Sequence, residues 1–244
     1  MLTAPALERR GVRAAFLERG GGVSEAPFAS LNLGFRTGDG PDHVRRNRGL
    51  AVLALETPRF AVARQAHGTG LVRVPEEAAG AGFDDPADAL GPADILATSA
   101  SGVPVAVLVA DCLPIVLASD DLLVAAHAGW RGIAGGVVPR AAAEFDDRAG
   151  VTAWIGPAIG PCHYDVGPEV VAAVERGSGG GAVMQRRGGK LALDLRATAA
   201  RALQAAGIRD LEMTELCTAC APERFYSHRR DGRTGRHAMV AMRA

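Results

Sequence analysis

Aromatic residues are scarce, 5% of 244 positions, and neither sign of charge gathers into runs, so the formal net charge is zero. The basic, aromatic-laced face of a nucleic-acid binder is therefore missing, and so is the cationic amphipathic stripe of a membrane-surface protein. Long apolar runs are missing too. The stretch 103–110 is one of the longest, well short of the roughly 20 residues that cross a bilayer, and the N-terminus has no basic segment leading into an apolar signal core. These absences point to a cytoplasmic protein whose partner is a small molecule, not nucleic acid or membrane. Cysteine is sparse: four thiols do not frame a chain of this length with disulfides, and they are expected to stay mostly reduced. Lysine is nearly absent, Lys190 standing alone among many arginines, and nothing mechanistic follows from that.

What is present is a capacity for burial. Hydrophobic residues make up 48% of the chain and are spread along its length, which favours a globule over a disordered or fibrous chain. Residues 12–17, 60–65 and 71–74 have strand character, and the periodicity over 41–55 predicts a helix. Residues 76–92, rich in Ala, Gly, Asp and Pro, predict a surface loop or flap. Three β-branched runs, 103–109, 115–118 and 122–126, predict buried strands separated by Asp111-Cys112-Leu113-Pro114 and by Asp120-Asp121. A helix follows Gly132 toward Phe145, then a strand at 152–155 and a helix near 169–175. Residues 178–181 predict a flexible loop, 191–193 a strand, and Asp194 the N-cap of a helix over 195–206 stopped by Gly207. The chain ends on a predicted hairpin of 224–229 against 237–242. The irregular mixing of strands and helices indicates an α+β fold with a mixed or antiparallel sheet around Cys112.

His67, Cys112 and His127 each sit at the end of a predicted strand beside turn residues, where side chains from distant segments converge. Two imidazoles and a thiolate suit zinc, and three protein ligands leave a fourth position open, the mark of a catalytic site. Spacing alone favours three unrelated residues, because ligands dozens of positions apart are no local metal signature. The same atoms also allow a cysteine hydrolase, with Cys112 as nucleophile, His127 as base and Asp111 or another acid as orienter. Cys217-Thr218-Ala219-Cys220 lacks a second pair and favours packing over a structural metal or a redox pair. Cys162-His163 lies in a Gly- and Pro-rich loop and is equally an approach to the site or a solvent-facing or structural pair. Arg48, Arg131, Arg229 and Arg236 are candidates for holding phosphate. His43, His237, Trp130 and Trp154 favour structural roles.

An ordered series of motifs resembles the YfiH/YlmD family, also known as multicopper polyphenol oxidase, peptidoglycan editing factor and laccase domain-containing protein. It runs through Asn32-Leu33-Gly34, Asn47-Arg48, Gln65-Ala66-His67-Gly68-Thr69, Ala110-Asp111-Cys112-Leu113-Pro114, Ala126-His127-Ala128-Gly129-Trp130-Arg131-Gly132, Gly156-Pro157-Ala158-Ile159-Gly160 and Ser227-His228-Arg229-Arg230-Asp231-Gly232. The resemblance implies one domain over 1–244, a layered α/β/β/α sandwich of mixed sheets related to a toxin cysteine hydrolase fold. It implies zinc on His67, Cys112 and His127. It implies purine nucleoside phosphorylase activity on adenosine, inosine or methylthioadenosine with phosphate, and adenosine deaminase activity. Arg48, Gln65 and Arg229 are the substrate contacts suggested by motif setting. Cleavage of an amide in a cell-wall precursor is the alternative within the family. A copper oxidase fits less well, since two histidines and one thiolate do not supply a multicopper centre.

Overall fold

Alternation along the apolar strands decides the layering. In Leu113–Ala118 every residue is buried, and successive side chains point to opposite faces. Leu113, Ile115 and Leu117 enter a core shared with helices, whereas Val116 and Ala118 enter one shared with a second sheet. The computed structural model describes residues 1–244, with the side chain of Arg187 outside the description. Its first sheet orders the strands Leu2–Thr3, Val12–Phe16, His237–Arg243, Val105–Val109, Ala61–Arg64 and Leu90–Pro92; its second orders Asp210–Met213, Thr152–Ile155, Leu113–Ala118, Leu123–Ala128, Ile95–Thr98 and Leu71–Arg73. Both sheets are mixed, with parallel pairs such as Ala61–Arg64 on Val105–Val109 among antiparallel ones.

Phe16, Val105, Val107 and Met239 of the first sheet meet Val116, Ala118, Leu123, Ala125 and Trp154 of the second in one apolar layer. The outer face of the first sheet, with Ala15, Val62, Ala106 and Val240, is covered by Ala51 and Leu55 of the helix Pro41–Leu55. The outer face of the second is covered by the helices Val137–Ala142 and Leu195–Ala205 through Val138, Ala141, Ala199 and Leu203. The architecture is thus α+β, two mixed sheets face to face between helices. A small antiparallel sheet of Asp165–Val166, Lys190–Leu193 and Met184–Arg187 stands apart from the two. No helix among the described residues is long and apolar enough to cross a membrane.

Several sequence expectations need correction. The C-terminal hairpin does not form: His237–Arg243 lies between Val12–Phe16 and Val105–Val109, with Met239 opposite Phe16 on one side and Val107 on the other. Six of its seven residues are buried, which only a central position between two partners and two apolar layers satisfies; a terminal ribbon would expose one face. Residues 224–229 form no strand. Tyr226 N–H is satisfied by Nε2 of His237, and Ser227 caps the helical turn His228–Asp231 through the Arg230 N–H. The helix expected to reach Phe145 is two helices, Trp130–Ala134 and Val137–Ala142, because the chain turns at Gly135-Gly136 and Gly136 adopts φ 87°. The loop 76–92 contains two 3-10 turns, Glu76–Ala78 and Pro86–Asp88, and the edge strand Leu90–Pro92. Leu113 and Pro114 belong to a strand, so the crossing between sheets narrows to residues 110–112.

Asp194 accepts from the N–H of Ala197 at 3.0 Å, as its N-cap assignment requires. Removal of such a cap costs about 1 kcal/mol, so Asp194→Ala is expected to lower the urea midpoint with an unchanged denaturant slope, and an unchanged midpoint would show the cap to be idle.

Candidate functional site

The chain leaves the strand Ala61–Arg64 and turns sharply at His67, which adopts the left-handed φ 59°. Few non-glycine residues accept that conformation without help. Help comes from one carboxylate: Asp94, 1% exposed, accepts from the backbone N–H groups of Ala66 (3.2 Å), His67 (3.0 Å) and Gly68 (2.7 Å). The same carboxylate accepts from Nδ1 of His127 at 2.7 Å, which leaves Nε2 as the nitrogen free to ligate. Strand alternation puts His127 on the face of Leu123 and Ala125, toward the first sheet. Cys112 arrives from the crossing between sheets, next to Asp111 at φ 85°.

Asp111 is held in that conformation by its own bonds. Its carboxylate accepts from Thr218 Oγ1 and from the Arg229 N–H, each at 2.6 Å, and its carbonyl accepts from Ile159 N–H at 3.0 Å. The orienting acid for His127 is therefore Asp94, and Asp111 fixes the backbone that presents Cys112.

One ligand atom each from His67, Cys112 and His127 lie within 4.8 Å of one another. His67 is exposed, Cys112 half-buried and His127 only 2% exposed, so the group opens to one side. Gly129 preserves the space: a Cβ there would stand 3.0 Å from the Cys112 sulfur and 3.1 Å from the His67 ring. A compact Cys/His donor set with an open side and an oriented imidazole fits a metal ion. Without metal, burial raises the Cys112 thiol, but the positive charge of His127 and hydrogen bonds from both imidazoles outweigh it and bring the thiol down to about 6. Burial lowers His127, yet the Cys112 charge and the Asp94 hydrogen bond carry it up to about 9. The apo pair is a thiolate beside an imidazolium.

A cavity of about 350 Å³ opens onto this group and is lined by Phe35, Arg36, Arg48, Arg64, His228 and Arg236 as well as by the three ligand candidates. Arg48 and Gln65 both reach it, with their polar atoms already committed. Arg48, 1% exposed, donates to the carbonyls of Leu33, Gly82 and Phe83 and lies 4.6 Å above the Phe35 ring. Gln65 accepts from Leu108 N–H and donates to Leu108 C=O, extending the sheet where the strand Ala61–Arg64 ends. Arg229 sits over the Tyr164 ring and donates to the Asp165 carbonyl, outside the lining of the cavity. Arg131 stacks on Trp130. Sequence reasoning missed Asp94, Phe35, Arg36, Arg64 and His228. His228 alone carried a local signal, its place in the Ser-His-Arg-Arg-Asp-Gly motif.

In metal-stripped protein, alkylation of Cys112 followed by peptide mass mapping is expected to titrate near pH 6, the thiolate persisting as pH falls to that point, and zinc is expected to block it. Alkylation that waits for pH 8 or above, the ordinary thiol range of about 8.5, would refute the ion pair. Asp94→Asn keeps the shape but gives up the charge and acceptor capacity, and is expected to weaken metal binding by about 10- to 100-fold, read by competition with a chromophoric chelator; undiminished affinity would show that His127 needs no orienting carboxylate.

The family model for multi-copper polyphenol oxidoreductase laccase matches residues 13–244. A purine nucleoside phosphorylase of Xylella fastidiosa is 42% identical, with 95% of this chain and 92% of that protein covered. Purine nucleoside phosphorylase YfiH of Escherichia coli is 36% identical over 94% of this chain and 93% of that protein. The crystal structure of YlmD from Geobacillus stearothermophilus superposes with a TM-score of 0.92 at 35% identity, covering 98% of this chain and 94% of that one. With the motifs, the layering and the Cys/His group in agreement, the chain belongs to the YfiH/YlmD family, the family of the laccase-type model.

Proposed function

We propose that this chain is a zinc-dependent purine nucleoside phosphorylase, acting on adenosine, inosine and methylthioadenosine, with adenosine deaminase activity at the same site. The observation that carries the reading is one cavity that joins the His67, Cys112, His127 group to the ring of Phe35 and to guanidinium groups with no internal duty. Arg36 and Arg64 line it, and their guanidinium groups have neither a hydrogen bond nor an ion pair among the described residues. Both forks are exposed on the cavity that the half-buried Cys112 also lines. The relatives named purine nucleoside phosphorylase support the substrate class.

His67, Cys112 and His127 would hold the ion, which when bound would supply Lewis-acid polarisation. Arg36 and Arg64 bind phosphate and orient an oxygen toward the anomeric carbon of the ribose. Phe35 offers its ring to the purine, and Arg48 beneath it fixes that ring, a positioning role in place of direct contact. As the phosphate oxygen bonds to the anomeric carbon, the glycosidic pair of electrons leaves with the base, which needs a proton. His228 is suited to give it: its Nδ1 donates to the Gly232 carbonyl at 2.7 Å, and Nε2 has no partner among the described residues.

One arrangement favours a second reading. Cys112, His127 and Asp94 reproduce nucleophile, base and orienter of a cysteine hydrolase. Such an enzyme has no need of His67 on the same thiolate, and it works without metal or phosphate.

Adenosine and inosine turnover with and without phosphate separates the two. Base release is expected to require phosphate and to vanish with zinc removal. Arg36→Ala and Arg64→Ala are each expected to raise the KM for phosphate about 10- to 100-fold, equivalent to the ~1.5–3 kcal/mol of a hydrogen bond to a charged group, with bound zinc unchanged. Metal-free protein that hydrolyses an ester or amide and loses that activity in Cys112→Ala would overturn the phosphorylase in favour of the hydrolase.

A further inference from the structure

The Cys217–Cys220 segment, expected to serve packing, and the Cys162-His163 pair, whose role the sequence left open, converge on the surface. Cys162 and His163 lie in the loop that follows the strand Thr152–Ile155, and Cys217 and Cys220 lie in a turn that bridges back to Ala158. One ligand atom from each of the four lies within 4.8 Å of the others. Nδ1 of His163 is 3.3 Å from the Cys162 sulfur, 3.4 Å from that of Cys220 and 3.8 Å from that of Cys217, and the Cys162 and Cys220 sulfurs are 3.5 Å apart.

Those separations match the edges of a coordination polyhedron. A tetrahedron with zinc–sulfur bonds of about 2.3 Å and zinc–nitrogen bonds of about 2.0–2.1 Å has sulfur–sulfur edges of about 3.8 Å and sulfur–nitrogen edges of about 3.5 Å. A disulfide would need a sulfur–sulfur distance of about 2.05 Å and would leave the histidine and the two other thiols unexplained. The surroundings suit thiolates as well. The Gly160 N–H donates to the Cys217 sulfur at 3.2 Å. A Cβ on Gly160 would stand 3.3 Å from the Cys162 sulfur and 2.9 Å from a guanidinium nitrogen of Arg196, so the loop passes close to both. Arg196 in turn donates to the carbonyls of Thr214 and Leu216, placing a positive charge beside three thiolates that together would exceed the charge of a divalent ion by one.

We propose that Cys162, His163, Cys217 and Cys220 form a second, structural zinc site that clamps the loop carrying Tyr164 to the turn carrying Thr218. Four protein ligands leave no open position, the pattern of a structural site. The clamp bears on the first site through both of its halves. Thr218, between the two ligating cysteines, donates to Asp111 beside Cys112. Tyr164, next to His163, underlies Arg229, whose backbone N–H goes to the other oxygen of Asp111. Arg230 ties the turn again by donating to the carbonyls of Thr218 and Ala219. The ion would thus tie the two loops together at their outer edge, above the apolar contacts that Ile159, Tyr164, Cys217 and Ala219 make with the core.

Elemental analysis of gel-filtered protein tests this without reference to turnover. Wild type is expected to carry two zinc ions per chain, Cys112→Ala one, His163→Ala and Cys220→Ser one each, and the combination of Cys112→Ala with Cys220→Ser none. His163 and Cys220 are exposed, so their replacement opens no cavity, and a circular dichroism spectrum like that of wild type shows the fold retained. Cobalt loaded into Cys112→Ala is expected to show the intense thiolate-to-metal charge-transfer absorption of three sulfurs, and that absorption is expected to be lost with the added Cys220→Ser. Wild type that binds one ion, lost entirely in Cys112→Ala, would overturn the second site. One ion that survives Cys112→Ala and is lost in Cys220→Ser would instead overturn the first, so the two sites fail separately.

Discussion

A single buried carboxylate organises the site. Asp94 takes three backbone N–H groups from one turn and an imidazole N–H from a strand of the second sheet. An ionised carboxylate at 1% exposure is tolerable only when its acceptor capacity is filled, and here the donors that fill it are those that must be aimed. The left-handed turn at His67 and the tautomer of His127 are two outcomes of one electrostatic requirement. Burial opposes ionisation of Asp94, but the hydrogen bonds from His127 and the turn outweigh it and hold the carboxyl below its ordinary range.

The same logic repeats at Asp111, which secures an unfavourable backbone conformation with Thr218, Arg229 and Ile159. Both aspartates cost strain at the residue that bears or adjoins a ligand, and both offset it with bonds from segments distant in sequence. A site assembled this way is stiff before any ion or substrate arrives. That stiffness fits catalysis by positioning and by preformed electrostatics better than by large rearrangement. It also fits a donor set of one thiolate and two imidazoles, which is too small for a multicopper centre despite the name of the family model.

Local signals in the chain were readable where chemistry repeats along it. The helix Pro41–Leu55, the buried strands and the Asp194 cap follow from periodicity and turn residues, whereas the grouping of His67, Cys112 and His127, which spacing alone did not favour, came from the family resemblance. Asp94 was invisible because its partners lie 26 to 33 positions away and nothing beside it in sequence marks it. The C-terminal strand was misplaced because a nearby polar turn suggested a ribbon, whereas burial on both faces belongs to a sheet centre. Arg48 illustrates a different limit: its motif marks it out, but only the fold shows that three carbonyls already occupy its guanidinium. Arg36 and Arg64 had no motif and emerge only from the cavity they share.

His67 and Cys112 come from two crossings between the sheets and His127 from a strand of the second sheet, so the site straddles the seam on which the whole sandwich closes. At that seam tolerances are tight: a Cβ on Gly156 would lie 2.4 Å from the Met239 methyl and 3.0 Å from Pro114, the residue opposite His127 in the strand register. A change of side-chain volume anywhere along this layer would shift one sheet against the other and so alter the bite of the ligands and the width of the cavity together. The width of the cavity can therefore change while all three ligand candidates stay in place, by repacking residues that do not line it.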